Sequence, residues 1–169
     1  MLRLLSLAGL VGLICVSALA SAATTEAAKP SPVPGAHFKS GEEPTCSFTQ
    51  TTVTCGGTIV GLGGQDVDIL LDAPFTATVT CTNPQNQQNP SMRTTTGTAS
   101  GETNVEDASN NLVFSVSATL PGTSGTCRNN WIMTSSTSFT GQWTISVCVG
   151  GQLVLSQQSS ASAPAPSCS

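Results

Sequence analysis

The chain has 169 residues, a net charge of −4 and only 8% charged side chains. With so few scattered lysines and arginines there is no basic patch for phosphates, which argues against nucleic acid and anionic membranes as partners. A single histidine and the absence of tyrosine leave little for acid–base chemistry or for ring stacking on sugars.

The first residues read as a leader. Met1-Leu2-Arg3 is a short basic start, followed by the apolar run "LLSLAGLVGLICVSALA" and the small-x-small site Ala20-Ser21-Ala22. This is the pattern of a cleaved secretory signal over residues 1–22. Ile14 precedes Cys15, so the small residue that a lipoprotein signal requires is missing. The C-terminus "SSASAPAPSCS" lacks the hydrophobic tail of a lipid-anchor signal. The expected location is extracellular, free or associated with a cell wall.

Residues 23–44 hold four prolines without apolar periodicity and read as an extended linker. From Thr45 the texture becomes β. In "TTVTCGGTI" Val53, Cys55 and Ile59 share one parity; in "PFTATVTC" Phe75, Ala77, Val79 and Cys81 oppose Thr76, Thr78 and Thr80. The segment "VTCTNPQNQQNPSMR" then turns polar. Its Asn, Gln and Pro content predicts a long loop whose base is Cys81. Further on, Leu112, Phe114, Val116, Ala118 and Leu120 alternate with Val113, Ser115, Ser117 and Thr119. Trp143, Ile145, Val147 and Val149 do likewise before a Gly150-Gly151 hairpin turn. Roughly seven or eight such strands predict one all-β domain over 45–158, an antiparallel, immunoglobulin-like β-sandwich. Residues 159–169 read as a flexible Ser/Ala/Pro-rich tail.

Cys46, Cys55, Cys81, Cys127, Cys148 and Cys168 form an even set in an oxidising compartment and are expected as disulfides. Zinc would need close Cys or His pairs, and His37 has no cysteine near it. Parity favours Cys81 with Cys127, joining two loop bases. Cys168 is expected to clip the tail back, the alternative being a bond to another chain.

The stretches "ATVTCTNPQNQQNP", "CRNNW", "SFTGQWTISV" and "GGQLVLS" resemble an uncharacterised group of small secreted, mostly bacterial β-rich proteins. That group carries a TCTNxGGN-type loop and a downstream CxNxNW segment. The match rests on Cys81-Thr82-Asn83 and on Cys127, Asn129, Asn130 and Trp131. Pro84-Gln85 depart from its glycines, and Cys46, Cys55 and Cys168 are additional. The resemblance implies secretion and a β-rich fold, and brings no activity with it.

Chemistry is sparse. Asp66, Asp68 and Asp72 share a strand face, and Glu102, Glu106 and Asp107 cluster nearby; both sets read as solvated face and turn acids. Asp-x-Asp supplies two oxygens, short of the six to eight that calcium takes. No Gly-x-Ser-x-Gly elbow is present, and a copper site at His37 lacks a second histidine. The expectation is a non-enzymatic protein without cofactor or metal. Its candidate binding residues are Asn83, Gln85, Asn86, Gln87 and Gln88 in the polar loop, with Asn129, Asn130 and Trp131 beside Cys127. Trp131 is the one tryptophan placed to stack on a sugar, unless it packs against the disulfide. Extracellular glycan or cell wall is the first expected partner. The alternatives are a secreted effector or inhibitor acting on host or competitor proteins, and a structural wall or coat component.

Overall fold

The computed structural model describes residues 33 and 35–168 apart from 124 and 129, so the expected signal segment 1–22 and half of the Pro-rich segment 23–44 lie outside it. Nine strands run in chain order: β1 His37–Phe38, β2 Thr45–Phe48, β3 Thr52–Val60, β4 Gln65–Asn83, β5 Asn86–Ala108, β6 Asn111–Thr119, β7 Ile132–Phe139, β8 Thr144–Val149 and β9 Gln152–Gln158. They form two antiparallel sheets. In the first, β3 pairs with β6 along its whole length, and with β2 and β1 end to end on its other side. In the second, β4 pairs with β5 throughout. Its other edge is shared by β8, opposite Asp68–Asp72, and β7, opposite Phe75–Thr82, while β9 lies outside β8.

Pro74 sits where β8 gives way to β7. In an extended strand a residue's N–H and C=O point to the same side. The Pro74 carbonyl accepts the Thr140 N–H at 3.0 Å on the β7 edge. The N–H that proline lacks would have returned the reciprocal bond to the Thr140 carbonyl, one residue past the end of β7, so the loss is confined to a single bond where β7 gives way to β8.

The core forms where the sheets face each other. Val53, Cys55, Ile59, Phe114, Val116 and Ala118 of the first sheet meet Val67, Ile69, Leu71, Ala73, Ala99, Ile145, Val147 and Val149 of the second. These are the positions that period-two alternation assigns inward, each aliphatic side chain contributing about 1.5–3 kcal/mol on burial. At one corner the sheets nearly touch. A Cβ on Gly101 of β5 would collide with the Ser117 carbonyl of β6, and Thr103 Oγ1 donates to the Ser115 carbonyl at 3.2 Å. The register shift of β4 against β5 between Gln65 and Val67 is also local: Asp107 takes φ 48°, and its N–H donates to Asp66 Oδ1 at 2.9 Å, forming a bulge.

Three disulfides join Cys46 to Cys55, Cys81 to Cys127 and Cys148 to Cys168. Cys168 is thus bonded within its own chain, and the interchain bond considered for it does not form. The tail is also not a free segment. It lies along the outer face of β8, where Thr144 Oγ1 donates to the Pro164 carbonyl at 2.6 Å, the Ser167 N–H donates to Ser146 Oγ, and Ala163 is buried. All six β8 residues are consequently buried, alternate ones by the core and by the tail. Small side chains and proline let this segment lie flat on the strand.

The domain is also wider than 45–158 at its start. Phe38 of β1 packs on the core, its ring 6.5 Å from that of Phe114. The polar stretch after Cys81 is not a loop: β4 and β5 continue into a hairpin closed by Pro84-Gln85, where Asn83 Oδ1 accepts the Gln85 N–H at 3.0 Å. The pairs Cys81 with Ser91 and Asn83 with Asn86 bracket it, with a register shift between them. The Gly150-Gly151 turn forms as expected, with φ of 55° and 72°.

Replacing Gly101 by alanine is expected to lower stability by about 2–3 kcal/mol, because the backbones must part to admit a methyl group. Removing Cys148 and Cys168 together as serines is expected to cost about 3 kcal/mol. Urea unfolding of both variants against the wild type measures each loss, and the wild type should run as a monomer on a non-reducing gel.

Candidate binding site

At about 3.3 Å per residue, β4 and β5 are roughly twice as long as β3 and β6. The inward parity of β4 therefore continues past the first sheet. Val67, Ile69, Leu71 and Ala73 are fully buried, whereas Phe75, Ala77, Val79 and Cys81 are half-buried. The first sheet ends near Phe139, which lies opposite Phe75 and receives the Phe48 ring edge-on at 5.6 Å. Beyond that level the cover is a strap, residues 121–123 and 125–127, leaving β6 and crossing the face of the hairpin.

Three contacts hold this strap. Cys127 is bonded to Cys81, with Cα atoms 5.6 Å apart. Thr123 and Thr137 of β7 share a hydroxyl–hydroxyl bond. Gly125 lies over Val79, so that a Cβ there would stand 3.1 Å from a Val79 methyl. Between strap and strands is a cleft of about 470 Å³. Its floor is Phe75, Ala77, Val79 and Cys81, its β5 wall is Ser91, Arg93 and Thr95, and its roof is the strap. The Phe75 ring lies over Gly97, 2.7 Å from where a Cβ would stand, so glycine makes room for the ring at the cleft's inner end.

The opposite face of the same three strands is made of hydroxyls. Thr76 lies between Thr96 and Ser138, Thr78 between Thr94 and Ser136, and Thr80 between Met92 and Thr134. The Thr78 and Thr94 hydroxyls are 3.5 Å apart. No charged side chain falls within these three rungs.

The residues expected to bind gather at the tip. Asn83, Gln85 and the β5 positions Asn86, Gln87 and Gln88 form the end of the hairpin. The last β4–β7 pair, Thr82 with Ile132, brings Trp131 and Asn130 to the same end. Asn129 lies outside the described residues. Asn130 takes φ 68°, and the Trp131 N–H donates to the Arg128 carbonyl at 3.0 Å, closing the turn into β7. Trp131 is half-buried. Asn83 spends its carbonyl oxygen on the Gln85 N–H, so its amide nitrogen is what it offers outward.

The acidic residues serve the sheet. Asp72 accepts from Ser100 Oγ at 2.6 Å and Asp68 from Asn104 Nδ2 at 2.5 Å, across the β4–β5 ladder. Glu42 titrates below the usual carboxylate range, first because Lys39 donates to it at 2.5 Å and then because Thr58 does so too. His37 is exposed on β1, its Nδ1 2.7 Å from the Gly35 carbonyl.

Alternation in the sequence puts Phe75, Ala77, Val79 and Cys81 on one face and by itself gives no sign that part of it is a cleft, or that Arg93 borders it. One signal was available: the apolar parity of β4 spans residues 67–81, longer than the parity of any strand able to cover it. No protein-family model, curated protein or solved structure matches this chain.

Replacing Cys81 and Cys127 by serine is expected to free the strap while leaving the core folded. Amide hydrogen exchange should rise over 121–127 and stay low over Val67–Ala73, because these core strands open only with global unfolding.

Proposed function

We propose that this is a secreted, non-enzymatic binding protein that recognises neutral extracellular or cell-wall glycans through the outer face and tip of its long hairpin. The observation that carries this reading is the uncharged, regularly spaced array of Thr76, Thr78, Thr80, Thr94, Thr96, Thr134, Ser136 and Ser138. Each threonine presents a hydroxyl, able to donate and accept, beside a methyl group, which matches a sugar's mixture of hydroxyls and C–H patches. Rungs repeat at about 4.8 Å across strands and about 6.7 Å along them, a geometry suited to an extended, repeating polymer. The amide-bearing tip and the half-buried Trp131 lie at the end of that array, where a ring edge and amide hydrogen bonds add grip.

The leader-like start and the three disulfides support an extracellular setting. We read the two sheets as an immunoglobulin-like sandwich from which the hairpin projects; the shared core supports this. A protein partner, as an effector or inhibitor would have, is the second reading, favoured by Met92 and Ile132, which stand 67% and 59% exposed on the same face.

The test is retention on insoluble chitin, cellulose and β-glucan by the mature protein, a Thr78→Lys/Thr94→Lys variant and a Trp131→Ala variant. Retention of the wild type on one polymer, with at least about tenfold weaker retention of the lysine variant, is expected. Flow-through of the wild type from all three removes the glycan reading and leaves protein partners.

A further inference from the structure

Charge is strongly segregated in this chain. No aspartate or glutamate occurs between Asp72 and Glu102 or after Asp107. Residues Phe75–Gly101 of the hairpin, the strap and β7 therefore hold no carboxylate, although the whole chain is net −4. Their charged residue is Arg93, on the wall of the cleft; Arg128 follows the strap, next to the disulfide that closes the cleft's end. Among the described residues the ion pair is Lys39 with Glu42, so neither arginine has an acidic partner there.

We propose that the cleft beneath the strap binds a small amphipathic anion: a carboxylate-headed molecule with an apolar body. Phe75, Ala77, Val79 and the Cys81–Cys127 disulfide make an apolar floor, and a cleft of about 470 Å³ lies within the range of small-ligand sites. Arg93 lies beside Val79 across the β4–β5 ladder, on the floor side of the sheet. Its guanidinium reaches a carboxylate in two parallel N–H donations while its stem covers the apolar body. A cationic head would meet Arg93, and a neutral one would forgo the charge-assisted bonds. Discrimination between heads thus comes from Arg93, and attraction into the cleft from the floor. The cleft is on the opposite face of the strands from the hydroxyl array, so this site stands or falls independently of glycan recognition.

Decanoate is the probe, titrated below its micellar range into the disulfide-intact mature protein, with decanol and decyltrimethylammonium as neutral and cationic counterparts of the same chain length. Amide chemical shifts report both stoichiometry and place. One decanoate per chain is expected, shifting residues of Phe75–Cys81 and the strap, with decanol about tenfold weaker and the cation weaker still. Arg93→Gln, at an exposed position, should reduce decanoate to the level of decanol. Thr95→Trp, which fills the cleft from an exposed wall position, should abolish binding of both while near-UV circular dichroism of the rest of the domain is kept. Equal affinity for decanoate and decanol overturns the proposal. So do retained decanoate binding by a folded Thr95→Trp variant and the absence of any shift at about 5 mM decanoate.

Discussion

Strand β4 is the constraint on which the molecule depends. It pairs with β5 over its whole length and with β8 and β7 in succession on its other edge. An interior strand has to satisfy backbone groups on both sides, and a proline in its middle would ordinarily leave a defect. Here the missing N–H of Pro74 falls at the handover between two partners. One continuous strand can thereby belong to a closed core in its first half and to a projecting three-stranded sheet in its second. The cleft, the hydroxyl face and the amide-rich tip all follow from that division.

Two of the three disulfides act at places where hydrophobic burial runs out. Cys81–Cys127 secures a strap of glycine, threonine and serine that has little apolar surface of its own. Cys148–Cys168 secures a tail of similar poverty against the outer face of β8. Segments like these cannot offset their ordering entropy by burying large side chains, so a covalent tie at the end limits the freedom they would otherwise keep. In the centre, by contrast, valine, isoleucine and leucine alternate inward, and packing holds the sheets together with the Thr103–Ser115 hydrogen bond at one corner.

Much of the core was legible in the sequence because burial of alternate residues leaves a period-two trace. Val53, Cys55 and Ile59, the run Leu112 to Ala118, and Ile145, Val147 and Val149 all face where alternation put them. The polar run after Cys81 misled for a definite reason. Alternation reveals a strand only when apolar and polar residues take turns along it, and the run Asn86–Pro90 has no apolar residue to mark a face. The tail misled for the converse reason: Ser, Ala and Pro carry no pattern, yet they are small enough to lie on a strand once a cysteine anchors them.

From the sequence alone came the all-β texture, the inward residues, the even cysteine set and the scarcity of charge, since each is a property of side chains taken locally. Tertiary structure decided which apolar residues had a partner to cover them. Phe75, Ala77 and Val79 carry the same inward parity as Val67, Ile69 and Leu71, and nothing local distinguishes the two sets. The difference is that β3 and β6 are shorter than β4, so the first sheet ends before β4 does. Strand length fixes how far a sheet extends, but whether a face is buried depends on the length of the sheet opposite, which lies elsewhere in the chain.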